Sequence, residues 1–319
     1  MLSFDEFQNS IKNKFAKTMP DADIKEKTSL KNNGIVMHGL AISYPGSNIS
    51  PCIYLDEVFG EYKSGRSLES ITESILNTAQ ESINTPDEFK NIQNDFMNFE
   101  KIQDKIIMVA INSEKNQELL SQVPHTPKED LALIYKIALK DGSSEQLGTI
   151  TIRNEHLTKW GKTLDDLHNK AVENTPKLLP PQINTMNDLM KEMAKNNGFP
   201  DEIAKMMVSD IPEQMQMYII SNKSRVNGAA TIFYDGVLSS MSDKLGTDLY
   251  VLPSSVHEVI VISTQAGEPD DLQEMVQEIN NSEVAPEERL SDSVYKFDSK
   301  VKELSIVAEP PQRIYRKSR

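Results

Sequence analysis

The chain is poor in cysteine and has no glycine-rich loop, and both absences limit its chemistry. Cys52 is the single cysteine among 319 residues, which excludes an internal disulfide framework and a site built from several thiolates. The 13 glycines are scattered, and neither phosphate-cradling pattern, G-x-x-x-x-G-K-[ST] nor G-x-G-x-x-G, occurs. No apolar run approaches the roughly 18 residues of a membrane span. Acidic residues stand in Met1–Glu6, where a signal peptide carries Lys or Arg. These absences predict a cytoplasmic protein with no membrane contact and no cofactor.

Basic residues are outnumbered by acidic ones, 34 Lys and Arg against 48 Asp and Glu, for a formal net charge of −14. Binding to a phosphate backbone needs clustered Lys and Arg, so the charge disfavours direct nucleic-acid binding. The one basic cluster lies in the tail, residues 309–319, and a chain terminus is usually not held against the rest of the fold. Acidity also allows an alternative function, in which the protein mimics nucleic acid in another protein's basic groove.

Hydrophobic spacing predicts an α+β fold of mixed, mainly antiparallel strands with flanking amphipathic helices, arranged in two lobes. Leu68, Ile71 and Ile75 recur at helical spacing, whereas Ile106–Ile111 is typical of a buried strand. Asn32-Asn33-Gly34 is a turn signal that predicts a hairpin. Further strands are predicted at Leu249–Leu252 and Val256–Ile262, with no regular βαβ rhythm along the chain.

Prolines and methionines suggest how the chain divides. Pro176, Pro180 and Pro181 punctuate the end of a helical pattern and mark the best boundary. The sequence therefore predicts an N-terminal α+β portion (1–182), a methionine-rich helical connector (183–211), a C-terminal α+β portion (212–308) and the basic tail (309–319).

The connector and the residues just after it hold half of the 14 methionines. Methionine adapts to varied surfaces, and helical stripes of it occur both in ordinary cores and in grooves that bind a partner helix. Core packing of the connector against the two lobes and an exposed partner-binding surface are the two interpretations. The candidate partner-binding residues are Met186, Met190, Met193, Met206 and Met207.

Ser254-Ser255-Val256-His257-Glu258 is the most chemically suggestive stretch. A serine hydroxyl, a histidine base and a carboxylate are the groups that acyl transfer needs, so Ser254, Ser255, His257 and Glu258 are the candidate catalytic residues of a hydrolase. No Gly-x-Ser-x-Gly elbow is present, and Val261 stands where the second histidine of a His-Glu-x-x-His zinc site would be. The alternative is structural: a turn whose hydroxyls satisfy backbone groups, with a histidine beside a carboxylate.

The other histidines are His38, His125, His156 and His168. No two of them have the i, i+3 or i, i+4 spacing of paired metal ligands on a helix. With a single cysteine available, the sequence predicts no metal site.

Several short segments of the chain are distinctive. The N-terminal ones include Asn32-Asn33-Gly34, Ile53-Tyr54-Leu55 and Leu68-Glu69, and the C-terminal ones are Leu252–Val259 and Leu290–Tyr295. Together they resemble an uncharacterised family of gut Firmicutes and their mobile elements. The middle, from Glu129-Asp130-Leu131 to Asp166-Leu167-His168, is similar to a second uncharacterised family, of YtpQ type. The resemblance implies a bacterial protein and supplies no reaction.

Together these patterns favour a non-catalytic protein-interaction or regulatory factor, with an accessory role in a mobile element as the setting that the resemblance implies. The partner expected is another protein. The two competing hypotheses are the hydrolase with Ser254 or Ser255, His257 and Glu258, and the acidic nucleic-acid mimic.

Overall fold

The computed structural model of the chain describes residues 1–44, 52–83, 95–140, 147–206, 211–212 and 215–311. Its fold is α+β, as the sequence predicts, and all strand pairs in this part of the chain are antiparallel. No helix within these ranges is long and apolar enough to cross a membrane.

The N-terminal unit is a three-stranded sheet covered by helices. Its elements are α1 (Phe4–Thr18), β1 (Asp23–Leu30), β2 (Val36–Ser43), β3 (Cys52–Tyr54), α2 (Asp56–Lys63) and α3 (Leu68–Ile83). A capping box starts α1, because Ser3 Oγ accepts from the Glu6 N–H while the Glu6 carboxylate accepts from the Ser3 N–H. The hairpin predicted at Asn32-Asn33-Gly34 is confirmed by the antiparallel pairing of β1 with β2. One core fills this unit, with Phe7, Ile11, Phe15, Leu40, Ile42, Ile71 and Ile75 among its members.

The central unit is built on one long strand. Its elements are α4 (Phe99–Ile102), β4 (Ile106–Asn112), α5 (Gln117–Gln122), β5 (His125–Lys128), β6 (Leu131–Lys140), β7 (Leu147–Thr151), α6 (Asn154–Trp160) and α7 (Leu164–Leu178). Strand β6 pairs with β4 along one edge and with β5 and then β7 along the other. Every residue of β4 is buried, as its apolar run predicts.

The C-terminal unit is a six-stranded sheet in the order β13-β12-β10-β11-β9-β8. Its elements are β8 (Pro181–Thr185), α8 (Met186–Asn196), α9 (Asp201–Met206), β9 (Tyr218–Asn222), α10 (Val237–Leu245), β10 (Leu249–Leu252), β11 (Val259–Ser263), α11 (Pro269–Ser282), β12 (Val294–Asp298) and β13 (Glu303–Ala308). Gly198 and Pro200 lie between α8 and α9, where glycine suits the end of one helix and proline the start of the next.

The predicted strand Val256–Ile262 is wrong at its start, since β11 begins at Val259. The backbone just before β11 forms its hydrogen bonds with residues 288 and 290, outside the sheet. The Val256 N–H donates to the Glu288 carbonyl at 2.8 Å, and the Ser254 carbonyl accepts from the Leu290 N–H at 2.9 Å. These bonds hold residues 253–258 as an irregular connection, because a backbone N–H that is used elsewhere cannot join the sheet ladder.

The main hydrophobic core joins the central and C-terminal units. One cluster of buried side chains extends from Phe99 of α4 to Phe297 of β12. The predicted boundary at residue 182 lies inside β8, which pairs with β9. The division of the chain at residues 182 and 211 stays a prediction, and most of the basic tail lies outside the described residues.

An irregular stretch, residues 286–293, contacts all three units and is called the junction segment below; its backbone passes from the surface at Pro286 to buried positions at Leu290, Ser291 and Ser293. Its seven consecutive carbonyls, from Pro286 to Asp292, all accept hydrogen bonds. The donors are Asn33 Nδ2 (to 286 and 289), Asn32 Nδ2 (287), Val256 N (288), Asn112 Nδ2 (290), Asn280 Nδ2 (291) and Gln273 Nε2 (292). Side-chain amides thus supply six of these seven bonds, in place of a neighbouring strand.

Asn33 connects the N-terminal unit to both of the other units. Its Nδ2 donates to the Pro286 carbonyl at 2.8 Å and to the Arg289 carbonyl at 2.7 Å. Its Oδ1 accepts from Asn116 Nδ2 at 3.0 Å, and its N–H donates to Asn116 Oδ1 at 2.8 Å. The backbone of Asn33 is left-handed, with φ 59°, a conformation that asparagine tolerates better than most residues.

Substitution of Asn33 by glycine separates the side-chain bonds from the backbone conformation. Asn33→Gly keeps the left-handed backbone and removes the amide, so we expect it to lower the free energy of unfolding by about 1 to 3 kcal/mol. Asn33→Ala is expected to lower it by about 1 kcal/mol more, because Cβ is disfavoured at this φ. Urea unfolding measures both losses.

Arg225→Gly is the matched control, since Arg225 also has a left-handed backbone, with φ 55°, while its guanidinium contacts Glu192 at the surface. We expect this control to lose no stability and to gain up to about 1 kcal/mol, because glycine relieves the left-handed strain that a residue with a Cβ carries. Equal losses in Asn33→Gly and Arg225→Gly would contradict the role assigned to the Asn33 amide.

Candidate functional site

The predicted hydrolase residues lie in the connection between β10 and β11. Ser254 and Ser255 are half-buried, as is His257, and Glu258 is exposed. Ser255 Oγ accepts from the backbone N–H of His257 at 3.1 Å, which is the turn arrangement that the structural alternative anticipates. Within the described residues, neither serine hydroxyl forms a hydrogen bond to the His257 ring.

Both ring nitrogens of His257 already have partners. Nδ1 accepts from the Asn227 N–H at 3.2 Å, and Nε2 lies 3.2 Å from Glu288 Oε1. The carboxylate beside the ring therefore belongs to Glu288, a residue of the junction segment, and not to Glu258. Because a nitrogen that accepts from a backbone N–H cannot also take a proton from serine, this geometry disfavours His257 as a general base. The catalytic assignment of these four residues stays a prediction.

The backbone around His257 is packed against the turn that follows β9. The His257 carbonyl accepts from Ser221 Oγ at 2.7 Å. A Cβ on Gly228 would clash with the same carbonyl and with Ser221 Oγ, so this close approach requires glycine. The ring and the carbonyl of His257 together hold residues 253–258 against residues 221–228.

The side chain of His257 is expected to stabilise the fold through Nδ1. In His257→Asn, the amide oxygen occupies the place of Nδ1 and keeps an acceptor for the Asn227 N–H, whereas in His257→Gln the polar group lies one bond further out. We expect the glutamine variant to lose about 1 to 2 kcal/mol of unfolding free energy and the asparagine variant to lose less. Thermal and urea unfolding give the comparison, and a larger loss in the asparagine variant would contradict it.

The remaining histidines are held by separate neighbours. His168 Nδ1 lies 2.8 Å from the hydroxyl of Tyr135, and His156 Nδ1 accepts from the Arg153 N–H at 2.9 Å. Burial lowers the pKa of both His156 and His168. In the described ranges, no group of three or more His, Cys, Asp and Glu side chains is arranged to hold a metal ion.

Methionines form an exposed surface on α8, α9 and the residues before β9. The exposed fractions are 42% for Met190, 64% for Met193, 85% for Met206, 49% for Met215 and 37% for Met217. Met186 and Met190 line a groove of about 210 Å³ with Ile211, Met215 and Met217. We call these residues, with Met193 and Met206, the methionine surface. Met207 lies outside the described residues.

A larger cleft, with a volume of about 640 Å³, opens between the central and C-terminal units. Three elements line it: the β5–β6 turn, the turn leading into α10, and the β12–β13 hairpin. Its floor includes Tyr295 and Phe297 of β12 and Leu238 of α10. Tyr234 also lines it, and burial raises the pKa of this tyrosine to about 12, with its hydroxyl donating to the Leu179 carbonyl at 3.2 Å.

A half-buried carboxylate, that of Asp130, holds one wall of this cleft in place. Asp130, in the β5–β6 turn, accepts from Ser291 Oγ at 2.6 Å, from Ser293 Oγ at 3.3 Å and from the Tyr295 hydroxyl in a very short hydrogen bond. Burial raises the pKa of Asp130, although the serine hydroxyls act to lower it. The carboxylate therefore ties the central sheet to the junction segment and to β12.

Removal of the Tyr295 hydroxyl leaves the Asp130 carboxylate with one hydrogen-bond donor fewer. Tyr295→Phe keeps the aromatic packing, and we expect it to lower the unfolding free energy at neutral pH by about 1 to 3 kcal/mol. A double-mutant cycle with Asp130→Asn, followed by urea unfolding, measures the coupling of the two side chains. Additive losses would contradict a direct interaction.

The raised pKa of Asp130 also predicts a pH dependence. Because the unfolded chain releases this proton more readily, the stability associated with protonated Asp130 is complete below the ordinary pKa of 3.8 and is lost as the pH rises through the folded-state pKa. The stability advantage of the wild type over Asp130→Asn should therefore narrow as the pH rises from about 4 to 7. A widening difference in urea unfolding over this range would contradict the assignment.

Neither the cleft nor the bonding role of Asp130 can be predicted from the sequence. Asp130 and Leu290 are 160 residues apart, and no pattern in the sequence indicates that the two regions touch. Glu129 and Lys302, which line the cleft, have left-handed backbones with φ 53° and 58°, at positions where a sequence pattern would lead one to expect glycine or asparagine.

Comparisons with known proteins identify the family. A search of curated proteins finds no match to this chain, and a search of solved structures finds none either. One family profile, described as a family of unknown function (DUF5688), matches residues 4–299. The match agrees with the resemblance to an uncharacterised family, whereas the likeness of the middle region to the YtpQ-type family stays an expectation. Since the profile covers nearly the whole chain, the protein belongs to the DUF5688 family.

Proposed function

We propose that this protein is a non-catalytic interaction factor that binds a partner protein through the methionine surface. The observation that carries the proposal is the exposure of Met193 and Met206, at 64% and 85%. Contiguous exposed apolar side chains on a protein surface mark interaction sites, and methionine is favoured on surfaces that adapt to different helices.

The charge of the same region indicates the chemistry of the partner. Residues 183–217 contain six acidic residues and three lysines, and Asp188, Glu192 and Glu202 are exposed beside the methionines. A helix with an apolar face and basic flanks would complement both the groove and its rim. The expected partner element is therefore a basic amphipathic helix.

The arrangement at His257 supports a non-catalytic role for the Ser-Ser-Val-His-Glu stretch. The ring accepts a backbone N–H and contacts Glu288, and Ser255 Oγ accepts a backbone N–H. These contacts give the stretch a structural function that needs no reaction.

Substitution of two exposed methionines tests the proposal. We expect the double variant Met193→Gln, Met206→Gln to lose partner binding by at least about ten-fold while the unfolding free energy changes by no more than ~0.5 kcal/mol, because both side chains are exposed. The assay is affinity capture from a nuclease-treated bacterial lysate, washed at low and high salt and analysed by mass spectrometry. A captured protein that stays bound at high salt, and that the double variant no longer captures, indicates binding in an apolar groove.

Val301→Gln is the matched control, since Val301 is 63% exposed, close to the 64% of Met193, and lies on the β12–β13 hairpin. Equal loss of binding in this control, or full binding by the double variant, would contradict the assignment.

Methionine methyl NMR locates the contact directly. A designed Leu/Lys amphipathic helical peptide should shift the methyl signals of Met190, Met193 and Met206 and leave those of Met108 and Met241, which are 1% and 5% exposed, unchanged. A Leu/Glu peptide of the same length should bind more weakly, because it carries the charge of the rim. Shifts at the buried methionines alone, or equal binding of the two peptides, would count against the proposed site and partner.

A further inference from the structure

The cleft between the central and C-terminal units has apolar side chains on its floor and a charged rim. Ile232, Leu238 and Phe297 on the floor are 4%, 5% and 5% exposed. The rim consists of exposed side chains of both signs, namely Lys128, Glu129, Asp235, Lys302 and Glu303. An apolar body with a few convergent polar groups is the usual construction of a small-ligand site, and a volume of about 640 Å³ is within the usual range for one.

The charges on this rim are unpaired. Within the described residues, none of the five rim side chains forms an ion pair or a side-chain hydrogen bond. Some charges elsewhere on the surface are paired, as Lys296 is with Asp248 at 2.9 Å and Lys177 is with Glu173 at 2.8 Å. Lysines and carboxylates thus line one opening without neutralising each other.

Two of these charged residues occupy turns at a cost in backbone energy. Glu129 connects β5 to β6 with φ 53°, and Lys302 connects β12 to β13 with φ 58°. A residue with a Cβ is less stable in this conformation by about 1 kcal/mol, and glycine would avoid the cost. Backbone strain of this kind is found at ligand clamps, where the side chain serves binding and not stability.

We propose that the cleft binds a short peptide with free termini and an apolar side chain. The ammonium group would be held by Glu129, Asp235 or Glu303, the carboxylate by Lys128 or Lys302, and the side chain would lie on the apolar floor. A simple anion would meet three carboxylates and a simple cation two lysines, so a ligand with both charges suits the rim best. The proposal is independent of the methionine surface, which lies on α8, α9 and the residues before β9.

Calorimetric titration of the full chain with the tripeptide Ala-Phe-Ala tests the ligand class. We expect saturable binding of the peptide with free termini, and binding weaker by at least about ten-fold when the termini are acetylated and amidated. No saturable binding, or equal affinity of the free and blocked peptides, would overturn the proposal.

Neighbouring serines on α10 provide a matched pair of variants for the location. Ser239 lines the cleft and Ser240 is exposed without lining it. Ser239→Trp should fill the cleft and abolish peptide binding, whereas Ser240→Trp should leave it unchanged, with both proteins folded as judged by circular dichroism. Unchanged affinity in Ser239→Trp would place the peptide elsewhere and overturn the proposal.

Lys302→Gly distinguishes a binding role from a structural one. Since glycine relieves the left-handed strain, this variant should unfold at a higher urea concentration than the wild type, and its affinity for Ala-Phe-Ala should fall by several-fold because a cation is lost. Lys300→Ala, on the same hairpin and outside the cleft lining, is the control and should keep the wild-type affinity. A Lys302→Gly protein with undiminished affinity would overturn the assignment of the rim lysine.

Discussion

The junction segment needs a hydrogen-bond donor for each of its carbonyls, and most of the tertiary arrangement follows from how these donors are supplied. A buried chain that is neither helix nor strand leaves its carbonyls without regular partners, and each unpaired one costs free energy comparable to a lost hydrogen bond. Here the amides of five side chains, Asn32, Asn33, Asn112, Gln273 and Asn280, come from all three units to meet it. The segment can be buried only when those units are correctly assembled around it. Its polar bonds therefore specify the arrangement that the apolar cores stabilise.

This role gives a physical account of the phrases that carry the family resemblance. Asn32 and Asn33 bond to the junction segment, the turn at Pro253–Val256 pairs with it through backbone hydrogen bonds, and Leu290–Ser293 belongs to it. Asp130, from the middle of the chain, accepts from two of its serines. Segments that are far apart in the sequence thus contact one another at the junction segment. A sequence pattern can therefore be distinctive because packing requires it, without being catalytic.

The elements of the fold could be predicted from the sequence more fully than their connections. Helix α3 and strand β4 follow directly from apolar periodicity, which burial of one face or of a whole strand dictates. The start of β11 could not be placed, because Val256 and Val259 have the same β propensity and only the distant Glu288 carbonyl decides which one leaves the ladder. The cleft could not be predicted either, because it is formed by three turns from different parts of the chain. Helical spacing alone could not show that Met193 and Met206 are exposed. The sequence places apolar residues on one face of a helix but does not show whether another element of the fold covers that face.

The two separate cores have a consequence for how the molecule opens. The N-terminal unit buries its own set of apolar side chains, while its attachment through Asn32 and Asn33 uses polar hydrogen bonds to the carbonyls of the junction segment and to Asn116. Detachment of this unit therefore exposes less apolar surface than unfolding of the main core does. Such a chain is expected to have two levels of cooperativity. The N-terminal unit would detach before the two larger sheets separate, and amide hydrogens at the attachment would exchange with solvent earlier than those in either core.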